Sequence, residues 1–230
     1  DFPHPYTPVY VFSNHDRRRS MKRLNDNAQK AKLLHVLQLT VRGVPCMYYG
    51  EEIGMSDVRM PYKTALDPIP HLYKELPRFL VDLAGETLNR DEVRTPMQWS
   101  GKKNAGFSFA EKTWQPVHTN FSEVNVEKES SDNNSLLNVV QQVLKIRNEM
   151  ECLRSGTLAF LNRKKLPAHV LAYQRKLGSE EVVVFMNFGK QNNQFSFSGN
   201  WKHVFAINAD DKFCNGKIEL GAYGAIVLKK

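Results

Sequence analysis

Two short apolar runs flank one helical stretch near the start of the chain, and each run ends in polar residues. That pattern limits the possible folds more than any bulk property does. Pro8-Val9-Tyr10-Val11-Phe12-Ser13 is β-branched and aromatic and is opened by a proline, which reads as a short strand. It gives way to Asn14-His15-Asp16. Over residues 27–42 the apolar residues recur with helical period. Ala31, Leu34 and Val41, with Leu33 and Leu37 beside them, fall on one side, and Lys30, Lys32 and Gln38 fall elsewhere. Gly43 stands where a helix-stopping C′ residue belongs. Val44-Pro45-Cys46-Met47-Tyr48-Tyr49 is the second apolar run, and it ends in Gly50-Glu51-Glu52. Strand, helix and strand make one βαβ unit. Parallel α/β barrels build their active sites at the C-terminal ends of such strands. An Asn-His-Asp tripeptide alone reads as a solvated turn, so its chemistry depends on what surrounds it.

Three regions organise the chain. Residues 1 to about 58 hold the βαβ unit. Residues 59 to about 134 are expected to be irregular, punctuated by Pro61, Pro68, Pro70, Pro77, Pro96 and Pro116; so long a connection in a compact domain is usually functional. Within it the polar residues 127–134 read as a surface loop. Asn133-Asn134-Ser135 then caps a helix running to about Met150, with Leu136, Leu137, Val140, Val143 and Leu144 facing a core. From Arg154 onward strands are expected over 170–175, 181–187, 194–197, 203–207 and 224–228. The alternation of Phe195 and Phe197 with Gln194 and Ser196 fits a half-buried antiparallel sheet. No internal repeat or low-complexity tract interrupts this order.

Composition excludes several function classes. An apolar content of 41% can supply a core, and no apolar run approaches the ~18 residues of a membrane span. The net charge of +8 raises the question of nucleic acid. The densest basic run, Arg17-Arg18-Arg19 with Lys22-Arg23, has no interleaved aromatics. The remaining cations are scattered, apart from Arg163-Lys164-Lys165 and Lys229-Lys230, so no nucleic-acid partner is expected. The three cysteines, Cys46, Cys152 and Cys214, are odd in number and widely spaced. They read as small buried thiols in a reducing compartment, which gives an expectation of a cytoplasmic location. No metal-ligand spacing is visible, and no cofactor is expected.

Four segments together resemble the α-amylase superfamily, glycoside hydrolase family 13, in its oligo-1,6-glucosidase and α-glucosidase branch. They are Phe12-Ser13-Asn14-His15-Asp16; the run from Arg42-Gly43-Val44-Pro45 through Tyr49-Gly50-Glu51-Glu52 to Ile53-Gly54-Met55; Arg90-Asp91-Glu92-Val93-Arg94-Thr95-Pro96-Met97-Gln98-Trp99; and Asn104-Ala105-Gly106-Phe107-Ser108. They cover residues 9 to about 108, with weaker similarity to the end. The resemblance implies a fold class of α/β plus all-β. That is the C-terminal portion of a (β/α)8 TIM barrel, its seventh and eighth strands and their helices, followed by a small antiparallel β-sandwich. Residues 1–153 would end the barrel, including an insertion after the eighth strand that walls the sugar pocket, and residues 154–230 would form the sandwich. The family cleaves glycosidic bonds with two carboxylates, a nucleophile and an acid, carried on the fourth and fifth strands. No such segments are present here. The expectation is the C-terminal part of a larger enzyme, inactive alone. Its partners would be the missing N-terminal part and an oligosaccharide α-glucoside. Nothing reads as a signal peptide, though the missing part could carry one.

The resemblance also assigns roles. Asp16 matches the family's third carboxylate, which neither attacks nor protonates but hydrogen-bonds sugar hydroxyls and favours a distorted, positively charged ring. His15 matches a neutral donor to the same sugar, and Asn14 orients the loop. Arg19 either lines the entrance or is solvated. The family more often has glutamine-proline where this chain has Arg17-Arg18, which leaves the acceptor side open. Arg90 matches an arginine that pairs with a carboxylate elsewhere and holds the terminal glucose, a task that suits a planar bidentate donor. Arg94 and Asp91 read as structural pairs, and Glu51 and Glu52 as scaffolding near the pocket. Trp99, Trp114 and Tyr49 either stack on sugar or pack as core and wall. The implied function is a retaining α-glucosidase or oligo-1,6-glucosidase that removes terminal glucose from short α-glucans. The alternatives are a glucosyl-transferring isomerase or trehalose-type enzyme, or a non-catalytic homologue used as an interaction domain. Linkage preference is not legible.

Overall fold

The computed structural model describes residues 5–83, 87–208 and 210–230. The chain divides into two compact units. One takes in the chain up to Tyr10, Gln29–Pro45 and Val139–Lys230; the other takes in Val11–Ala28 and Cys46–Asn138.

Strands β1 (Val9–Val11) and β2 (Val44–Cys46) pair as a two-stranded sheet. Both are shorter than the apolar runs that contain them. Between them lie the single-turn helix α1 (Ser20–Arg23), which the apolar periodicity does not announce, and helix α2 (Ala28–Thr40). The buried face of α2 includes Ala31, Leu33, Val36 and Leu39, but also His35, Gln38 and Thr40. Leu34 and Leu37 are only half-buried. The expected placement of Gln38 away from the core is therefore corrected. Its amide nitrogen donates to the Tyr10 carbonyl at 3.1 Å, and its oxygen lies 3.3 Å from His35 Nδ1, so burial leaves neither atom without a partner. Gly43 also plays a different part from the one expected. Its φ of +154° is not that of a left-handed C′ cap. A β-carbon there would meet the Tyr10 ring at 2.3 Å and the Pro8 carbonyl at 2.9 Å. The position is glycine because β1 passes against it.

Helix α6 (Leu136–Glu149) begins at Ser135, whose Oγ accepts from the Asn138 backbone N–H at 3.1 Å. Two buried arginines then tie α2, α6 and α7 (Glu151–Ser155) together. Arg147 donates to the carbonyls of Leu39, Gly43 and Leu153 at 2.7–2.9 Å. Arg175 donates to those of Thr40, Leu153, Gly156 and Thr157 at 2.6–3.1 Å. The last carbonyls of a helix lack intrahelical donors and carry partial negative charge. Two guanidiniums therefore do at the end of α2 what a glycine cap would otherwise do.

The rest of this unit is two antiparallel sheets. One has the order β3 (Thr157–Phe160), β4 (Val170–Leu177), β5 (Glu180–Asn187), β10 (Ala225–Lys229), β7 (Lys202–Ala206). The other has the order β6 (Asn193–Ser196), β9 (Lys217–Leu220), β8 (Lys212–Cys214). Val170, Ala172, Val183, Phe185, Ile226 and Leu228 of the first sheet share one cluster with Ile218 and Leu220 of the second. The sheets thus face each other across a common core. All five expected strands are present with ends shifted by one or two residues; β3, β8 and β9 are additional.

In the second unit, Gly50 (φ +82°) and Gly54 (φ +70°) bracket a 3₁₀ turn at Glu51–Ile53. Ile53 and Met55 pack with Met97 and Leu137, and Val126 lies against them. The long connection contains α3 (Ile69–Leu72), α4 (Arg78–Leu83) and α5 (Val126–Ser130), while residues 84–86 lie outside the described residues. Helix α5 corrects the expectation of a loop over 127–134 as far as Ser130, and residues 131–134 form the loop expected there. Asn125 Oδ1 caps the helix by accepting from the Lys128 N–H at 2.8 Å, and polar residues suffice for the exposed remainder. Among the described residues no helix is long and apolar enough to cross a membrane.

Candidate active site

The site is built from the ends of the two short strands. Beyond β1, Ser13 Oγ donates to the buried Glu51 carboxylate, whose other oxygen accepts from the Tyr48 N–H at 2.9 Å. Glu51 thereby joins the loop after β1 to the loop after β2, the scaffolding role expected of it. Asn14 Oδ1 accepts from the Asp16 N–H at 2.8 Å, and the Arg17 N–H reaches the Asn14 carbonyl at 3.3 Å. This tight turn orients the loop, as expected of Asn14. It leaves the Asp16 side chain 46% exposed.

The Asp16 carboxylate is gripped from one side. Arg94 Nη2 donates to Oδ1 at 3.0 Å and Arg90 Nη1 donates to the same oxygen at 3.4 Å. Oδ2 lies 3.2 Å from His15 Nε2. Arg94 also donates through Nε to the His15 carbonyl at 2.9 Å. Arg94, expected to form a structural pair, therefore sits directly on the candidate catalytic carboxylate.

Arg90 has its expected carboxylate partner, and it is Asp67. Nε and Nη2 each donate to Asp67 at 2.8 Å, and the Arg90 backbone N–H donates to Asp67 Oδ2 at 2.9 Å. The guanidinium beside it holds the Asp67 carboxyl down, to about 2. Asp67 is held in turn, because Asp91 Oδ2 accepts from the N–H groups of Leu66 and Asp67 at 2.6 and 3.1 Å. Asp91 is structural, as expected, though its partners are backbone amides. Asn89 starts the 3₁₀ turn at Arg90–Val93 by accepting from the Asp91 N–H at 3.2 Å. Asp67 carries no signal in the sequence, because Leu66-Asp67-Pro68 has nothing that separates it from an ordinary loop.

Arg19 lines no open space and is not solvated. It is wholly buried, with Nη1 donating to the Tyr49 carbonyl at 2.7 Å and Nη2 to that of Val93 at 2.9 Å. Its guanidinium carbon lies 4.9 and 4.8 Å from the Tyr48 and Tyr49 ring centroids. The substrate-binding expectation for Arg19 is corrected accordingly. The residue opens α1, and its backbone N–H is fixed by Asp57 Oδ1 at 2.9 Å, which turns the side chain inward.

Arg94 also lines a cavity of about 510 Å3 whose other walls include Tyr49, Glu52, Trp99, Phe107 and Trp114. Trp99 is 50% exposed and Trp114 85% exposed. Both are thus wall rather than core, presenting flat apolar faces to open space. The Tyr49 hydroxyl donates to the Thr95 carbonyl at 2.7 Å, which fixes its ring. Burial pushes the Glu52 carboxyl up. Among the described residues no group of three or more His, Cys, Asp or Glu side chains is placed to hold a metal ion.

Residues 2–156 match the alpha-amylase catalytic domain, and residues 170–227 match the alpha-amylase SusG C-terminal domain. A glucan 1,6-alpha-glucosidase of Streptococcus dysgalactiae subsp. equisimilis is 32% identical, over 86% of this chain and 38% of its own length. An oligo-1,6-glucosidase of Parageobacillus thermoglucosidasius is 31% identical, over 80% of this chain and 34% of its own. Among solved structures, the isomaltulose synthase SmuA from Protaminobacter rubrum superposes with a TM-score of 0.79 at 30% identity, covering 96% of this chain and 42% of that one. The chain thus spans well under half the length of the relatives it matches. On the catalytic-domain match over residues 2–156, it belongs to the alpha-amylase family of glycoside hydrolases, with oligo-1,6-glucosidases and α-glucosidases among its relatives.

Proposed function

We propose that this chain is the C-terminal part of a retaining α-glucosidase or oligo-1,6-glucosidase acting on terminal glucose of short α-glucans. In this reading residues 1–153 carry the last two strands of a (β/α)8 barrel, and residues 154–230 form its appended β-sandwich. Asp16 is the carboxylate that favours the transition state without attacking or protonating. Hydrolysis moves positive charge onto the sugar ring, and a fixed carboxylate stabilises that charge more than it stabilises the neutral substrate. Two guanidiniums on Oδ1 hold the group so that no reorganisation is needed as the charge develops. His15, on the Oδ2 side, donates to a sugar hydroxyl. Arg90 is anchored by Asp67 at one edge and presents its remaining nitrogen toward Asp16, where a non-reacting glucose hydroxyl fits.

The observation that carries this reading is the half-exposed Asp16 carboxylate, held between Arg94, Arg90 and His15. The nucleophile and acid that a retaining hydrolase needs match no segment of these residues, so the chain alone is proposed to hydrolyse nothing. Incubating it with p-nitrophenyl α-glucoside tests this: no release is expected. Turnover that disappears in Asp16→Asn would overturn the assignment of the two missing roles to other segments.

The likeness to an isomaltulose synthase favours a second reading, glucosyl transfer to an acceptor sugar. Arg17-Arg18 stand where the branch more often has glutamine-proline, on the acceptor side. Chromatography of the products of the full-length enzyme on sucrose separates the two. Free glucose supports hydrolysis, and an isomeric disaccharide supports transfer.

A further inference from the structure

A second cavity, of about 490 Å3, lies wholly within the first compact unit, whereas Asp16 belongs to the other. Its volume falls in the roughly 300–1,000 Å3 range of small-molecule sites. His169, Phe188, Lys190, Gln191, Asn193 and Tyr223 line it. Two of these are in left-handed backbone conformations, His169 at φ +65° and Tyr223 at φ +53°. Such a conformation costs a non-glycine residue about 1 kcal/mol or more and persists only where the surroundings enforce it.

The surroundings do enforce it. Asn187, fully buried at the end of β5, donates to the carbonyls of Gln191 at 2.8 Å and Gly221 at 2.7 Å, and accepts from the Gly189 N–H at 2.9 Å. One side chain therefore ties together the two turns that face the cavity. The Phe188 N–H donates to the His169 carbonyl at 2.9 Å, and the Tyr223 N–H donates to that of Gly189 at 3.2 Å. A β-carbon at Gly189 would come within 3.2 Å of His169 Cβ, so the turn is pressed against the opposite wall. Phe188 remains 42% exposed, and neither it nor Tyr223 joins the core cluster between the sheets.

The lining combines the rings of His169, Phe188 and Tyr223, the last with the Lys30 ammonium 5.4 Å from its centroid, with two carboxamides and the ammonium of Lys190, and contains no carboxylate. A pyranose offers the complement: an apolar C–H face for a ring and a rim of hydroxyls for amides and imidazole. A phosphate-bearing ligand is held best by several converging cationic donors, and Lys190 is the one lysine or arginine among the residues lining this cavity. We infer that this cavity is an accessory binding site for a short α-linked gluco-oligosaccharide, separate from the Asp16 site. The choice of an α-glucan rests on the function proposed above; the site itself does not.

Titration of maltotetraose into the full chain, followed in 1H–15N spectra, tests the inference. Saturable shifts are expected over residues 188–193, with affinity at least ten-fold weaker in Phe188→Ala and in Gln191→Ala and unchanged in Asp16→Asn. Both rim substitutions remove exposed atoms, and unperturbed spectra elsewhere show that the variants fold. Shifts absent from this turn, affinity unaltered by both rim variants, or displacement of the sugar by inorganic phosphate would each overturn the accessory site. Binding that vanishes only in Asp16→Asn overturns this site while supporting the proposed function. Binding retained here in an enzyme whose turnover ignores Asp16→Asn does the reverse.

Discussion

Replacing Asp67 by Asn should weaken the protein in a way that depends on pH, and the structure fixes the direction. Asp67 accepts two 2.8 Å bonds from the Arg90 guanidinium and a third, at 2.9 Å, from its backbone N–H. These hold the carboxyl at about 2, against an ordinary value of 3.8. At 1.36 kcal/mol per pKa unit that difference corresponds to about 2 kcal/mol. Because the Arg90 side chain is partly open to solvent, the working figure is about 1–2 kcal/mol. A depressed carboxyl stabilises the fold above the unfolded-state pKa near 4, and that contribution fades as pH falls through about 2. Asparagine keeps the shape but turns an amide N–H₂ toward a guanidinium, so one acceptor becomes a donor. Urea unfolding of parent and variant at pH 7 and pH 2.5 reads the effect. A loss of about 1–2 kcal/mol is expected at pH 7, and a clearly smaller one at pH 2.5. Equal losses at both pH values, or no loss at pH 7, would refute the claim that ionised Asp67 anchors Arg90.

Three further outcomes follow from buried groups elsewhere. Burial pushes the Asp57 carboxyl up to about 6, so the folded state holds its proton longer than the unfolded one. Stability therefore falls as pH rises from about 4 through 6. Asp57→Asn, which can still accept from the Arg19 N–H, should raise stability at pH 7.5 by about 1–2 kcal/mol and change little at pH 4; a gain confined to pH 4 contradicts this. Of the three cysteines expected to be buried, Cys152 is, whereas Cys46 and Cys214 are exposed. Burial pushes the Cys152 thiol up to about 12, so iodoacetamide at pH 8 should label Cys46 and Cys214 natively and Cys152 only after unfolding, as mass spectrometry of the peptides will show. Arg175→Leu removes the side-chain donor from the carbonyls of Thr40, Gly156 and Thr157 and leaves that of Leu153 with Arg147 alone. It should cost about 3–5 kcal/mol in denaturant titration, and a loss below about 1 kcal/mol would show that water replaces the guanidinium.

The sequence exposed some of this architecture and hid the rest for identifiable reasons. The strands around Val183 and Ile226 were legible because long β-branched runs have few alternatives. The short strand at Lys217–Leu220 alternates cleanly, with Ile218 and Leu220 buried, but four residues are too few to stand out. Helix α2 was legible as a helix but not in its burial, because covering its polar residues required partners such as the Tyr10 carbonyl that no local window contains. The same limit applies at the site. Asn14-His15-Asp16 announces itself as a polar cluster ending an apolar strand, and Arg90 through its motif. Asp67 becomes legible only when Arg90, 23 residues later, is seen folded onto it. Arg19 and Arg94 look alike in the sequence. The turn at Asn14 and the inward start of α1 bury one, and the 3₁₀ turn at Arg90–Val93 leaves the other on Asp16.

Steady-state kinetics of Asp16→Asn in the full-length enzyme test the central claim most directly. If Asp16 acts on charge that develops only in the transition state, kcat should fall by roughly two to three powers of ten, a loss of ~3–4 kcal/mol, while KM changes little. Arg90→Ala, measured alongside, should instead raise KM, because it removes a grip on unreacting glucose. A near-parental kcat in Asp16→Asn would contradict the account and leave Asn14-His15-Asp16 as a loop.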